Sequence, residues 1–274
     1  MRANANMRKQ LDEHPYQTIL IILLYAAGVA TFPSAKIANF FGGGEISAMI
    51  VDLIARFLCC IIPLILVCDF GYYDVLTFKN FKVKSLLYFL PCLIVSINNF
   101  PIVSLIEGEV GFVVVQGAKT AAYVFLCISI GAVEEIIFRG CVYKIIREKT
   151  QGDKHGFFFS LVFSSAIFGC MHLINLLNGF SPAVFLQIGY SFLIGAMCGF
   201  ALEKTGNIYM PILLHSLFDL GGLLSDYSMV SGNIWTLNEM IATAVVGVIV
   251  AVFVVYVVCK TDKDETNLTN KTLD

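Results

Sequence analysis

Six ionisable side chains lie within apolar, helix-like segments between Thr120 and Leu224. In order, they are Glu134, Glu135, Arg139, His172, His215 and Asp219. A charged side chain near the centre of a bilayer costs at least ~2.5–3.5 kcal/mol, so such groups usually face one another across the interior of a helical bundle. Carboxylates, imidazoles and a guanidinium that meet there supply the parts for proton transfer or for metal binding.

The spacing within the first block predicts one ion pair and one separate carboxylate. Glu135 and Arg139 are four residues apart, which places them on one face of an α-helix. Glu134 is rotated by about 100° from its neighbour and so points elsewhere into the bundle. Adjacent carboxylates in a poorly solvated site titrate as a coupled pair, and different surroundings give them separate acid and base roles.

The two histidine blocks extend this pattern. His215 and Asp219 share a helix face through their i, i+4 spacing. His172 follows Phe168 by one turn, and Gly169 allows another helix to approach closely. Taken singly, the blocks also have structural interpretations. The first can be an intrahelical ion pair near the cytoplasmic end of its helix, and His172 can be a hydrogen-bonded packing residue.

The composition is that of a membrane protein. Of the 274 residues, 58% are hydrophobic and 14% are charged, and the mean hydropathy is +0.81. Soluble domains carry about 25% charged residues. The composition therefore predicts an all-α, polytopic transmembrane helix bundle that sits in the lipid bilayer. The net charge is -2 and no basic face with interleaved aromatic residues occurs, so a nucleic-acid partner is not expected.

About eight apolar segments approach the ~20 residues that cross a ~30 Å hydrocarbon core. They are residues 16–32, 46–67, 86–97 with its flanks, 119–146, 157–177, 182–202, 208–224 and 240–259. Eight crossings leave only Lys36 and Lys119 on the side opposite the N-terminus, which predicts that both termini are cytoplasmic. The first segment also has features of a cleaved signal peptide. In the second, Asp52 and Arg56 either neutralise each other or line a substrate path.

The three blocks together resemble a known family. They read Glu134-Glu135-x-x-x-Arg139, Phe168-x-x-x-His172 and His215-x-x-x-Asp219. This resembles the EExxxR, FxxxH and HxxxN/D pattern of the CPBP intramembrane proteases, which include CAAX prenyl endopeptidases and bacterial bacteriocin-processing or self-immunity (Abi) proteins. The resemblance implies N-terminal transmembrane helices at 1–118, a CPBP-like catalytic membrane core at 119–224, and a last transmembrane helix with a cytoplasmic tail at 225–274. It also implies a bacterial plasma membrane as the location.

The resemblance implies roles for the first two blocks. Glu134 matches the carboxylate that activates water, and His172 matches its partner. Glu135 and Arg139 match residues that support the site. The implied activity is hydrolysis of a peptide bond in a membrane-associated peptide or protein.

For the third block, the resemblance implies binding of the oxyanion or of a metal ion. Asp219 stands where the family accepts either Asn or Asp. Zinc held by His172, His215 and a carboxylate would both activate water and stabilise the oxyanion. A metal-free mechanism would use Glu134 with His172 as the base and His215 as the oxyanion donor. Both mechanisms fit the sequence.

Two other classes of function fit the same residues. Intramembrane Glu, His and Asp also form proton relays, which predicts a proton-coupled transporter. The polar blocks occur only in the second half of the chain, unlike the paired broken helices of many transporters. The other alternative is a non-catalytic bacteriocin-immunity or scaffold protein with the same fold.

Overall fold

The computed structural model describes residues 3–273. Residues 1 and 2 of the predicted N-terminal part and residue 274 of the predicted tail lie outside this range. Over that range the helices are α1 (Ala5–Glu13), α2 (Pro15–Ala30), α3 (Ser34–Phe40), α4 (Glu45–Cys59), α5 (Ile61–Asp69), α6 (Leu86–Asn98), α7 (Ile102–Ile106), α8 (Gly117–Glu135), α9 (Lys144–Lys149), α10 (Gly156–Met171), α11 (Ala183–Thr205), α12 (Tyr209–Gly222) and α13 (Leu237–Leu273). Short 3₁₀ helices occur at Tyr73–Leu76, Val83–Ser85 and His172–Asn178, and a π-helix occurs at Ile136–Tyr143.

Within the part of the chain that the structure describes, six helical stretches are long and apolar enough to cross a membrane. They are Pro15–Phe40, Glu45–Asp69, Gly117–Lys149, Gly156–Leu177, Ala183–Thr205 and Leu237–Asn267. A shorter apolar helix, Val83–Asn98, corresponds to the third predicted span. The predicted span 208–224 is α12, whose 14 residues extend only about 21 Å, less than the ~30 Å core. The chain is a polytopic, all-helical integral membrane protein, as the composition predicts.

The stretch that carries the first block lies at the centre of the bundle. In an apolar 18-residue window of Gly117–Lys149, 61% of the window is buried inside the protein. The corresponding share is 22% in Pro15–Phe40 and 22% in Leu237–Asn267. α8 packs against α4 and α12, while α10 packs along α11. The outer helices direct large apolar side chains away from the protein, as lipid-facing helices do. The central position of α8 therefore turns its carboxylates toward protein rather than lipid.

A π-helix interrupts this central stretch directly after the two glutamates. Ile136–Tyr143 contains Arg139, and all eight of its residues are buried. π-helical turns are rare and occur frequently at functional sites, where the extra residue changes the direction of the following side chains. The hydrophobic pattern predicts an uninterrupted α-helix here, because a local widening of the helix leaves no mark on the spacing of apolar residues.

Two three-residue strands connect the loops at one end of the central helices. β1 (Val110–Phe112) precedes α8, and β2 (Val230–Gly232) follows α12; the two are antiparallel. Gly232 has a φ of +101°, and a Cβ there would overlap the carbonyl oxygen of Glu109. Both features require glycine at this position. The sequence did not predict this ribbon, because three residues are too few for a recognisable alternation of polar and apolar side chains.

Candidate active site

Glu135 joins the first and third blocks. Its side chain is fully buried, and its Oε1 accepts a hydrogen bond of 3.0 Å from Arg139 Nη1. The same oxygen lies 2.7 Å from His215 Nδ1. Because a carboxylate accepts and an imidazole N–H donates, Nδ1 of His215 carries the hydrogen in this contact. The predicted Glu135–Arg139 pair is confirmed, and it also holds α12 against α8.

The second nitrogen of His215 faces two other carboxylates. Nε2 lies 3.8 Å from Glu134 Oε2 and 3.7 Å from Asp219 Oδ2. These distances exceed those of direct hydrogen bonds. Oδ2 of Asp219 is buried and has no hydrogen-bond partner within the described chain. His215 is therefore held by Glu135 on one side and presents Nε2 to a region bounded by Glu134 and Asp219 on the other.

His172 lies where α10 ends and the following 3₁₀ helix begins. Its Nδ1 lies 3.2 Å from the carbonyl oxygen of Phe168, and its Nε2 lies 3.4 Å from Ser191 Oγ. A carbonyl oxygen only accepts, so Nδ1 donates and Nε2 of the neutral ring is left as an acceptor. Ser191 was not predicted as a site residue, because its contact with His172 depends on the packing of α11 against α10. The geometry leaves Nε2 of His172 able to take up a proton.

The ring of Phe168 ties the three blocks together. The guanidinium carbon of Arg139 lies 4.3 Å from the centre of this ring, a cation–π contact. The imidazoles of His172 and His215 meet the same ring edge-on, with centroids 5.3 Å and 5.7 Å away. Phe168 thus packs against both histidines and covers one face of the buried arginine.

Glu134 and His172 line a single cavity of about 190 Å³. The side chain of Glu134 is 25% exposed, whereas that of Glu135 is fully buried, so only Glu134 is open to a molecule in the cavity. Arg56, Asn175 and Gln187 supply the other polar groups of the lining. The adjacent glutamates thus have the different surroundings that the helix geometry predicts.

The remaining predicted site residues lie behind or beside this cavity. Arg139 and Glu135 are buried beneath it, and His215 reaches it only through its 3.8 Å approach to Glu134. Asp219 lines a neighbouring cavity of about 590 Å³, which is bounded mainly by apolar side chains of α6, α11, α12 and α13. The structure therefore brings all six residues into one connected cluster, in which Glu134 and His172 line the 190 Å³ cavity and Asp219 lines the neighbouring one.

A zinc site at His172 and His215 does not fit this geometry. Among the described residues, no group of three or more His, Cys, Asp or Glu side chains is placed to hold a metal ion. The Phe168 ring contacts both imidazoles, and Nδ1 of each is already engaged, that of His172 by the Phe168 carbonyl oxygen and that of His215 by Glu135 Oε1.

Gly131 allows α8 and α12 to approach closely enough for the Glu135–His215 contact. A Cβ at this position would lie 2.6 Å from Ser216 Oγ and 3.0 Å from the Ser216 backbone nitrogen. We expect Gly131→Ala to lower the free energy of unfolding by about 1–3 kcal/mol, because a packed interface cannot absorb the added methyl group. Unfolding of the purified protein in detergent measures this change.

A matched glycine provides the control for this substitution. Gly28 lies in α2, and a Cβ there would have nothing within 4 Å. Gly28→Ala should therefore leave the free energy of unfolding unchanged or slightly higher. Equal destabilisation by the two alanines would contradict the tight contact between α8 and α12.

Comparison with known families places the six residues in one domain. Residues 116–221 match the family described as type II CAAX prenyl endopeptidase Rce1-like. Neither the curated proteins nor the solved structures gave a match. The matched segment contains all three polar blocks and begins and ends within three residues of the predicted core at 119–224. Over residues 116–221 the chain is therefore similar to the Rce1-like family of type II CAAX prenyl endopeptidases, which agrees with the resemblance of its three polar blocks.

Proposed function

We propose that this protein hydrolyses a peptide bond of a membrane-associated substrate, using water activated by Glu134 and His172 in the 190 Å³ cavity. The observation that carries the proposal is that these two groups line the same cavity while the Glu135–Arg139 pair lies sealed behind it. A hydrated hollow with a free carboxylate and an imidazole acceptor is what hydrolysis inside a membrane requires.

The first step is the activation of water. A water molecule in the cavity donates one hydrogen bond to Glu134 and the other toward Nε2 of His172, whose Nδ1 hydrogen is held by the Phe168 carbonyl. Glu134 removes a proton as the water oxygen attacks the carbonyl carbon of the peptide bond. General base catalysis of this kind contributes about 10²–10⁴-fold to a rate.

The second step is stabilisation of the negative charge that forms on the carbonyl oxygen. His215 is the donor that we assign to this role. Its Nδ1–H is already donated to Glu135, so its imidazolium form has one free N–H, at Nε2, which faces the region between Glu134 and Asp219. A donor that is fixed in place before the reaction stabilises such a charge without reorganisation.

The third step breaks the carbon–nitrogen bond. The tetrahedral intermediate collapses, and the proton held by Glu134 passes to the leaving nitrogen, which departs as an amine. The water oxygen remains in the new carboxylic acid, which loses its own proton. Glu134 returns to the carboxylate form, so the cycle consumes one water molecule and one peptide bond.

The substrate class follows from the family. Its description is type II CAAX prenyl endopeptidase Rce1-like, and we propose that this chain acts on a prenylated C-terminal CAAX segment. The 590 Å³ apolar cavity beside Asp219 offers a nearby surface for a hydrophobic group. The family match favours this proposal over the proton-coupled transporter, and the partly exposed carboxylate of Glu134 in the cavity favours it over a non-catalytic scaffold.

The test is a cleavage assay with the full-length protein in liposomes. The probe is a quenched fluorescent peptide that carries a farnesylated CAAX end, and mass spectrometry identifies the released fragment. We expect cleavage by the wild-type protein and none by His172→Ala. Proton-dependent uptake of a solute without any peptide cleavage would contradict the proposal and support the transporter alternative.

Metal removal gives a separate prediction. The described residues provide no group of three side chains that could hold a metal ion. Exhaustive dialysis against a chelator should therefore leave kcat within about twofold of its starting value. A metal that activates water would account for several kcal/mol of transition-state stabilisation, so its removal would lower kcat far more. Metal content is measured on the same sample. Loss of activity that zinc alone restores would contradict the metal-free mechanism while leaving the endopeptidase activity intact.

A further inference from the structure

Arg56 is a cation at the depth of the candidate active site. It lies near the middle of the span Glu45–Asp69, as Glu134 lies near the middle of Gly117–Lys149. An arginine at that depth is costly, and such residues usually serve a binding or catalytic function. Arg56 belongs to α4, outside the segment that matches the family. Its position therefore needs an explanation that the family match does not supply.

The guanidinium of Arg56 is held at one edge and open at the other. Its Nε donates to Asp52 Oδ2 over 3.1 Å, and the two side chains are 14% and 16% exposed. Within residues 3–273 its two terminal nitrogens make no hydrogen bond. Arg56 lines the cavity together with Glu134 and His172. A planar guanidinium with free terminal N–H groups binds a carboxylate through two parallel hydrogen bonds.

The size of the cavity limits what can reach Arg56. A volume of about 190 Å³ is smaller than the ~300–1,000 Å³ of usual ligand pockets, and an α-helix with its side chains is ~10–12 Å wide. A helical segment of a substrate therefore does not fit between Glu134 and Arg56. An extended chain advances ~3.3–3.6 Å per residue and fits only as a few residues. Such a short extended piece is most simply the end of a chain.

We propose that Arg56 binds the free C-terminal carboxylate of the substrate and so selects peptides that end inside the cavity. This inference rests on the proposed endopeptidase function and adds a specificity residue to it. Asp52 fixes the guanidinium edge that does not face the substrate. The scissile bond then lies a few residues upstream of the C-terminus, at Glu134. Asn175 and Gln187, which are hydrogen-bonded to each other at 2.8 Å, line the same cavity and can contact the intervening backbone.

The test combines a change in the enzyme with a change in the substrate. Two farnesylated peptides are compared that differ only in a free or an amidated C-terminus, with wild-type protein and with Arg56→Gln. A hydrogen bond between charged groups corresponds to about 10- to 150-fold in binding, so we expect amidation to lower kcat/KM of the wild type by that factor, mainly through KM. With Arg56→Gln, kcat/KM for the peptide with a free C-terminus should fall by the same factor. This variant should then cleave the free and the amidated peptide equally well.

The control is a cation near the end of its span that does not line the cavity. Lys119 pairs with Glu45 at 2.8 Å, and Lys119→Gln should keep the full preference for the free carboxylate. Cleavage of both peptides at equal rates by the wild type would overturn the role of Arg56 and leave the endopeptidase function standing. An unchanged preference in Arg56→Gln would overturn it as well. Absence of cleavage in every combination would instead reject the proposed function.

Discussion

Glu134→Gln should lower kcat for peptide cleavage by about 10²–10⁴-fold, the contribution of a positioned general base. The amide keeps the size of the side chain and its place in the cavity lining but cannot take a proton from water. KM should change little, because the substrate contacts other parts of the cavity. The side chain is already 25% exposed, so its replacement should leave the free energy of unfolding unaltered. Steady-state cleavage and unfolding are measured on the same preparation.

A second Glu-to-Gln change is the matched control. Glu45 accepts a hydrogen bond from Lys119, and its side chain is 50% exposed. Exposed pairs of this kind contribute about 0.2–1 kcal/mol, so Glu45→Gln should leave both cleavage and unfolding close to wild type. Full activity in Glu134→Gln would contradict the role of Glu134 as the general base, whatever the effect of the substitution on stability.

Breaking the buried Glu135–Arg139 pair should cause the largest loss of stability. Arg139 is 2% exposed and Glu135 is fully buried, so Glu135→Gln or Arg139→Met leaves one charge without its partner. Each single change should cost about 3–5 kcal/mol. The double variant removes both charges, and we expect it to be more stable than the sum of the single losses predicts. Denaturant unfolding of the four proteins measures the coupling energy.

Activity and stability should separate in this cycle. Glu135 Oε1 also accepts from His215 Nδ1 at 2.7 Å, so removal of its charge weakens the group that orients His215. The double variant should therefore recover stability without recovering cleavage. The Glu45–Lys119 pair, whose carboxylate side chain is 50% exposed, serves as the control cycle and should give a coupling energy of about 0.2–1 kcal/mol. A coupling energy as small for Glu135–Arg139 would show that the buried pair stabilises the fold no more than the control pair does, which would contradict the expected loss.

The local features of this site were predictable because they depend on helix spacing alone. Glu135 and Arg139 are one turn apart and pair as expected, and Glu134 separates from Glu135 by the rotation of a single residue. The interior position of these groups followed from the cost of placing charges in lipid. The apolar segments also predicted the helical bundle, apart from the shortness of α12.

The contacts between helices were not predictable in the same way. His215 and Glu135 are 80 residues apart in the chain, and their contact depends on how Gly131 lets α12 approach α8. Ser191 beside His172 depends on the packing of α11, and the π-helix leaves the apolar pattern unchanged. A single sequence records which residues are costly in lipid but does not record the register in which the helices meet.

The most direct test of the central claim is the origin of the oxygen in the product. The claim is that a water molecule held by Glu134 and His172 attacks the peptide carbonyl. Wild-type protein in excess over a CAAX peptide is allowed a single turnover in H₂¹⁸O, and the released carboxylate is analysed by mass spectrometry. We predict that the first turnover places one ¹⁸O atom in the new carboxylate. An unlabelled carboxylate in that turnover would mean that a protein side chain attacks the peptide, and this would contradict direct hydrolysis by water.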